Sequence, residues 1–202
     1  MGGTANEHTV VRRLSAFDHE DYAQHLLRLD EATRYLRFGM PAKDQFLIDY
    51  ANSCTLWDVV IYGYFVDGIL RGAAELRPLG GDHNEGEAAF SVEAEFRGRG
   101  VGSQLFEKIV RAARNRSYQK LYMSCLATNR AMQALARRFA AEMSFEPGGS
   151  LGVVEPGHRD VNSLSGEAAE DAEAIFAIAR LDLPGHSEID PLGWFNSTAR
   201  AV

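Results

Sequence analysis

The segment from Phe96 to Leu105, FRGRGVGSQL, sets glycines at 98, 100 and 102 among Arg97 and Arg99, with a helix-like run directly behind. A glycine-rich turn that opens a helix is built to bind phosphate. The first amides of a helix lack an intrahelical acceptor, the helix dipole is positive there, and glycine lets the backbone close around an anion. Three loop types compete. A Walker loop needs Gly-Lys-Ser/Thr, but Gly102 is followed directly by Ser103. The dinucleotide fingerprint would run Gly98, Gly100 and a third glycine at 103, which is serine, and it belongs in an early βαβ unit rather than after a meander of strands. An Arg-x-x-Gly-x-Gly pattern on Arg97, Gly100 and Gly102 fits, and it turns the amides of Arg99 to Ser103, Val101 included, toward a pyrophosphate. A second motif, Gly148-Gly149-Ser150-Leu151-Gly152, is formally GxSxG. The residues behind it, VVEPG, read as strand and turn instead of the helix of a nucleophile elbow, so the serine is assigned to a hairpin. The sequence has no HExxH and no Cys/His cluster, so no metal is expected.

Composition bounds the partners. The 202 residues suffice for a domain with a full core, and 46% hydrophobic with 24% charged residues is a globular profile. The formal net charge of -7 argues against general nucleic-acid binding and suits a cationic acceptor such as an amine or a lysine side chain. No apolar run approaches the roughly 18 residues of a membrane span. The opening MGGTANEHTVVRR has no apolar signal core, and Cys54 and Cys125 read as reduced thiols, so a cytoplasmic protein is expected.

The elements that must position the turn follow from periodicity. HTVVRR (8–13) reads as a strand, Phe17 to Leu29 as a helix, 30–38 as further helical turns started by Asp30, and AKDQFLIDYANSC as another short helix before two β-rich runs joined at Asp67-Gly68, a tight-turn dipeptide. Residues 80–86 read as a loop and 87–96 as the fourth strand. A helix follows from Gly100 to Arg116, a buried strand over 120–127, a helix from Asn129 and a hairpin over 142–155. The stretch 156–166 looks like a loop before a helix near 167–182, striped by Ala168, Ala172, Ile175, Phe176 and Ala179; the last twenty residues look irregular. The expected architecture is α/β: a mixed, mostly antiparallel sheet with helices on both faces, comprising a domain over 1–155 and an extension over 156–202 packed on it or on a dimer partner.

From Glu87 to Arg137 the sequence resembles the core of the GCN5-related N-acetyltransferases (GNAT). Glu87, Phe90 and Val92 match a strand of the type E-x-x-F-x-V, the glycine turn follows, and Asn129, Met132 and Leu135 match N-x-x-A-x-x-L with methionine in the alanine place. The resemblance implies an N-acetyltransferase using acetyl-CoA, with no metal, acting on a small amine or a protein lysine. It implies that the strands 87–93 and 120–127 splay apart, that the pantetheine arm pairs near Ser91, Val92 and Glu93, that the pyrophosphate sits on Arg97, Gly98, Arg99, Gly100, Val101, Gly102 and Ser103, and that Asn129 touches the CoA arm unless it is simply a helix cap. Glu87, or else Glu75, would take the amine proton, and an N–H near Val92 would serve the oxyanion. Glu93 and Glu95 read as surface residues, and His83 lies in a loop beside the acceptor cleft. Residues 30–38, DEATRYLRF, resemble a segment of bacterial protein-lysine acetyltransferases through Arg34, Tyr35, Arg37 and Phe38. Family members are often dimers, which implies a homodimer.

One departure stands out. Many relatives carry a tyrosine seven residues after the asparagine as general acid, and position 136 is alanine. Tyr122, Ser124, Cys125 or a water would then protonate the leaving thiolate, or no residue need do so. The missing tyrosine leaves a second expectation open, a non-catalytic acyl-CoA-binding module on the same fold.

Overall fold

Side-chain alternation builds the layers. In strand β2 (Val60–Val66), Val60, Tyr62, Tyr64 and Val66 join one buried cluster while Ile61 and Phe65 join another, so the strand is covered on both faces and apolar nearly throughout. The computed structural model describes residues 7–54, 59–80, 84–140, 142–146 and 148–181. Besides β2, the strands are β1 (Thr9–Arg13), β3 (Ile69–Leu79), β4 (Glu85–Val92), β5 (Lys120–Leu126), β6 (Glu142–Glu146) and β7 (Gly149–Val154). They form a 7-stranded sheet in the order β1-β2-β3-β4-β5-β7-β6. Helices α1 (His19–Arg28) and α3 (Asp44–Ser53) cover one face, packing Tyr22, Leu26 and Leu47 on Ile61, Phe65 and Ala73. Helices α4 (Val101–Asn115) and α5 (Arg130–Phe139) cover the other. There Leu105, Ile109, Met132 and Ala136 meet Tyr62, Leu76, Ala88 and Met123. Helix α2 (Glu31–Phe38), capped by the Asp30 side chain, lies against β4 and β5. The expected mixed sheet with helices on both faces is the fold observed.

Every pairing is antiparallel except that of β4 with β5, which is parallel and short, running from Glu85↔Lys120 to Glu87↔Tyr122. Beyond it each strand keeps only its outer neighbour: β4 follows β3 to Gly72↔Val92, and β5 follows β7 to Leu126↔Gly149. The sheet therefore opens from Ala88 onward. The Asp67-Gly68 turn has positive φ at both residues, 50° and 79°, as a tight hairpin of matching twist requires.

Two boundaries differ from expectation. The fourth strand ends at Val92 instead of Phe96, because Ala94–Phe96 winds into a 3-10 turn that buries Phe96. Helix α6 (Val161–Leu181) begins inside the stretch read as a loop. Asp160 and Ser163 cap it reciprocally: the Ser163 amide donates to Asp160 Oδ1 (2.7 Å) and the Asp160 amide to Ser163 Oγ (3.1 Å). The helix docks on α4 and β1 through polar contacts. Asn115 Nδ2 donates to the Ser163 carbonyl (3.0 Å), Arg116 pairs with Glu167 (2.9 Å) and Arg13 with Asp171 (3.2 Å). Of the expected apolar stripe, Ala168 and Ala172 are exposed; the side chains of Ile175, Phe176 and Ala179, and residues 183–202, lie outside the described residues. Among the described residues no helix is long and apolar enough to cross a membrane, and no group of three or more His, Cys, Asp or Glu could hold a metal.

Leu105 is fully buried where α4 meets the sheet behind the glycine turn. Leu105→Ala should cost about 2–5 kcal/mol of unfolding free energy, read from urea denaturation at unchanged m-value.

Candidate active site

The turn before α4 is shaped by two left-handed glycines, Gly98 (φ 74°) and Gly100 (φ 82°), a conformation that strains any residue with a Cβ. Gly102 is helical, and a Cβ there would meet only Leu135 at ordinary contact distance, 3.8 Å. The amides of Ser103 and Gln104 both donate to the Gly100 carbonyl, at 3.0 and 3.1 Å. The amides from Gly98 to Gly102 make no close hydrogen bond among the described residues, only the loose contacts of the turn itself, so the turn presents a concave run of weakly engaged donors at the positive end of a helix. Ser103 corrects the expectation for its amide, which already closes the first turn of α4. Its hydroxyl instead accepts from Arg138 Nη1 (3.2 Å), a cation the sequence reading did not single out.

These amides line a cleft of about 450 Å³ between α2, the open edge of β4 and the start of α5. All the expected ligand-binding residues line it except Glu93 and Arg99. Arg99 is half exposed, its guanidinium 5.2 Å over the Phe96 ring and 3.5 Å from Glu7. Arg97 Nε donates to the Val92 carbonyl (3.0 Å), and its Nη2 reaches Asp30 (3.3 Å) and the Thr33 hydroxyl, which ties the turn to the start of α2. Asn129 caps α5, its Oδ1 accepting from the Met132 amide (3.1 Å), while it also lines the cleft.

A second cavity, of about 690 Å³, opens on the other side of the split and shares Leu36 and Arg37 with the first. Glu87, Ala89, Ser124, Cys125, Ser150, Tyr50 and Arg77 are on its walls. Among the described residues the Glu87 carboxylate has no hydrogen-bond or ion-pair partner. Cys125 Sγ lies 3.1 Å from Ser150 Oγ, and Ser150 sits in strand β7, as a hairpin residue should and an esterase nucleophile should not. Tyr122 hydrogen-bonds Glu85 (3.1 Å) and does not line the cavity, whereas Ser124 and Cys125 do. Ala136 is fully buried beside Gly152 of β7, turned into the sheet. His83 lies outside the described residues.

Glu75 sits beneath this cavity and is 1% exposed. It collects a donor from each of the three helices that precede β2: the Tyr22 hydroxyl of α1, the Arg37 guanidinium of α2 and the Tyr50 hydroxyl of α3 (2.8 Å). Arg77 Nε adds a fourth (2.8 Å). Burial alone would raise its pKa, but Arg37 and Arg77 outweigh that and lower it. Glu75 is therefore a saturated anion. Burial and the Glu75 charge push the Tyr50 hydroxyl above its ordinary range and the Cys54 thiol up to about 11, so both stay neutral.

Glu93 is not the surface residue expected. It is 8% exposed, because the 3-10 turn after β4 folds it under α1, where it accepts from Arg28 Nε (2.9 Å), Arg71 Nη1 (2.9 Å) and His25 Nδ1 (3.2 Å). Burial lowers the His25 pKa. The neutral ring donates from Nδ1 to Glu93, and Nε2 accepts the Ser91 hydroxyl (2.9 Å). The sequence signal was thin: a histidine on the apolar face of α1, and two arginines, Arg28 and Arg71, whose partner stands 65 and 22 residues on.

The acetyltransferase (GNAT) family model matches residues 21–141. The chain belongs to the acetyltransferase (GNAT) family. The match runs from within α1 through α5 and holds the first cavity and all of the second but its β7 wall (Gly149, Ser150 and Leu151), which makes the chain an N-acetyltransferase by class. It is 30% identical over 137 residues to the acetyltransferase PA5475 of Pseudomonas aeruginosa, covering 63% of this chain and 72% of that protein. The GNAT domain of S. lividans PAT superposes with a TM-score of 0.65 at 22% identity, covering 74% of this chain and 96% of that one. RimL, a ribosomal L7/L12 alpha-N-protein acetyltransferase solved with coenzyme A, superposes with a TM-score of 0.58 at 14% identity, covering 75% and 95%. These structural likenesses speak for the fold.

Burial raises the Glu93 pKa, but the donors from His25, Arg28 and Arg71 prevail and hold it at about 2, against an ordinary 4.5. A carboxylate depressed on folding adds stability that is fully present above its unfolded value and is lost as pH falls through the folded one. Unfolding free energy should drop between pH 4.5 and 2. Glu93→Gln should be less stable at pH 7 and show a shallower drop over that window in paired urea titrations.

Proposed function

We propose that the chain transfers an acetyl group from acetyl-CoA to a primary amine, by direct attack while both are bound. The observation that carries this reading is the meeting of two cavities at Leu36 and Arg37, one walled by weakly engaged helix-start amides and the other by an unpartnered carboxylate, Glu87. Acetyl-CoA supplies an activated acyl group on a thiol leaving group. The amides from Gly98 to Gly102, with Arg138 nearby, suit its pyrophosphate. The edge of β4 from Ala88 to Val92, paired on one side only, suits the pantetheine amides as an added strand. That arm runs from the turn toward the junction of the cavities, where N–H groups of the same edge serve the developing oxyanion.

Glu87 faces the acceptor cavity without a competing donor and takes the proton that an alkyl ammonium must lose before it attacks. Glu75 is bonded on both oxygens and positions Arg37, Tyr50 and Arg77 instead of exchanging protons.

Calorimetric titration with acetyl-CoA should show binding that Gly102→Glu abolishes, because the new carboxylate enters the anion site from a position with room for it. Glu87→Gln should leave that binding intact and lower the acetylation rate about 10²–10⁴-fold. Acetyl-CoA binding that survives Gly102→Glu would refute the turn as its site, and full activity in Glu87→Gln would refute the base.

A further inference from the structure

The acceptor cavity carries a separated pair of charges. Arg77 and Glu87 are direct cross-strand partners on one face of the sheet, which brings their Cβ atoms to about 5 Å. Such a pair would ordinarily form a salt bridge, and this one does not. Arg77 turns away, giving Nε to Glu75 and Nη2 to the Cys54 sulfur (2.7 Å), its guanidinium 4.7 Å over the Tyr50 ring. Its Nη1 has no partner among the described residues, and its side chain remains 30% exposed while Glu75 is 1% exposed. Arg37 and Arg77 share the single charge of Glu75, and Tyr22, Tyr50 and Cys54 are neutral, so among the described residues one positive charge is left without a counter-charge on the side where Arg77 meets the cavity. On the neighbouring strand stands Glu87, whose carboxylate has no partner among the described residues.

We propose that the acceptor is a zwitterion, an amino acid whose ammonium is held by Glu87 and whose carboxylate is held by Arg77. This rests on the acetyltransferase reading of the same cavity and names its substrate class. Charges of opposite sign that reach one cavity from neighbouring strands without meeting each other match the ammonium and the carboxylate of one small molecule. A lysine side chain in a protein brings an ammonium without a carboxylate of its own and leaves Arg77 unanswered. A phosphate dianion exceeds the one charge available. Arg77 is then a specificity residue, presented by the Glu75 cluster, which fixes its Nε and leaves its outer edge open.

The test is calorimetric binding to the full chain saturated with CoA, using each protein amino acid, the matching amino-acid amides and a lysine-containing peptide. At least one free amino acid should bind about tenfold or more tightly than its amide. Arg77→Gln should erase the difference by weakening only the free acid. The acid-against-amide comparison on the unmodified protein decides the matter even if that variant folds poorly. Binding of no free amino acid, or equal binding of acids and amides, overturns the proposal. A free amino acid that binds yet is not acetylated from acetyl-CoA leaves the zwitterion site standing as a ligand site and defeats the acetyltransferase reading of it. Acetylation of lysine peptide and amines with no gain from a carboxylate does the reverse.

Discussion

The rest of the molecule depends on where β4 lets go of β5. Parallel pairing lasts from Glu85↔Lys120 to Glu87↔Tyr122, and then each strand is committed to its other neighbour. An unpaired strand edge inside a sheet is costly unless something else satisfies its polar groups. The split also joins the two faces of the sheet, and that is why one cavity can hold helix-start amides while its neighbour holds the Glu87 carboxylate. On either side the sheet is ordinary, with apolar alternation and two cores. What is unusual is confined to the gap and to the charges that brace it.

Those braces are two buried carboxylates. Glu75 draws α1, α2 and α3 onto β3, and Glu93 draws the end of α1 and β3 onto the turn after β4. Buried ion pairs contribute little net stability compared with apolar packing, but removing one partner is severe, so their effect is to fix geometry. Both clusters stand on the α1–α3 face, where the acceptor cavity is. The opposite face, carrying α4 behind the glycine turn, is held there by Leu105, Ile109 and Phe106, and its buried carboxylate, Glu167, lies at the other end of α4, against Asn115 and Arg116. A rigid apolar mount suits a turn whose donors are all backbone. A polar mount suits a cavity whose walls carry side-chain charges of both signs.

What the sequence disclosed follows the same division. The glycine turn, the Asp67-Gly68 hairpin and the stripes of α4 and α5 were legible because local backbone demands and helical period write them directly. Glu75 and Glu93 were not, because an isolated glutamate looks alike whether solvated or buried, and its arginines lie on other elements: Arg37 stands 38 residues from Glu75 and Arg28 stands 65 from Glu93. The start of α6 was missed because Asp160 and Ser163 are residues of turns and of caps alike, and only the reciprocal hydrogen bonds distinguish the two. Arg34 and Phe38, matched to a lysine-acetyltransferase segment, have local roles here. Arg34 bonds the Leu29 carbonyl and Asp44, and Phe38 meets Phe46 and Tyr50 edge-on.

Ala136 bears on the chemistry in proportion to what a general acid contributes. Position 136 packs beside Gly152, so restoring a tyrosine there would require β7 to move. A thiolate with a pKa of about 8.5 leaves unprotonated at pH 7 at a cost of about 2 kcal/mol relative to the thiol, an order of 10–30-fold in rate. An amine acceptor that must shed a proton of pKa about 10 faces the larger barrier, because the neutral fraction at pH 7 is about one part in a thousand. The group worth preserving is therefore a base, and the carboxylate on the wall of the second cavity, Glu87, has no internal partner among the described residues. Under the proposed reading, the hydroxyl of Ser124 and the thiol of Cys125, both on the wall of the same cavity, are the groups placed to return the proton to sulfur.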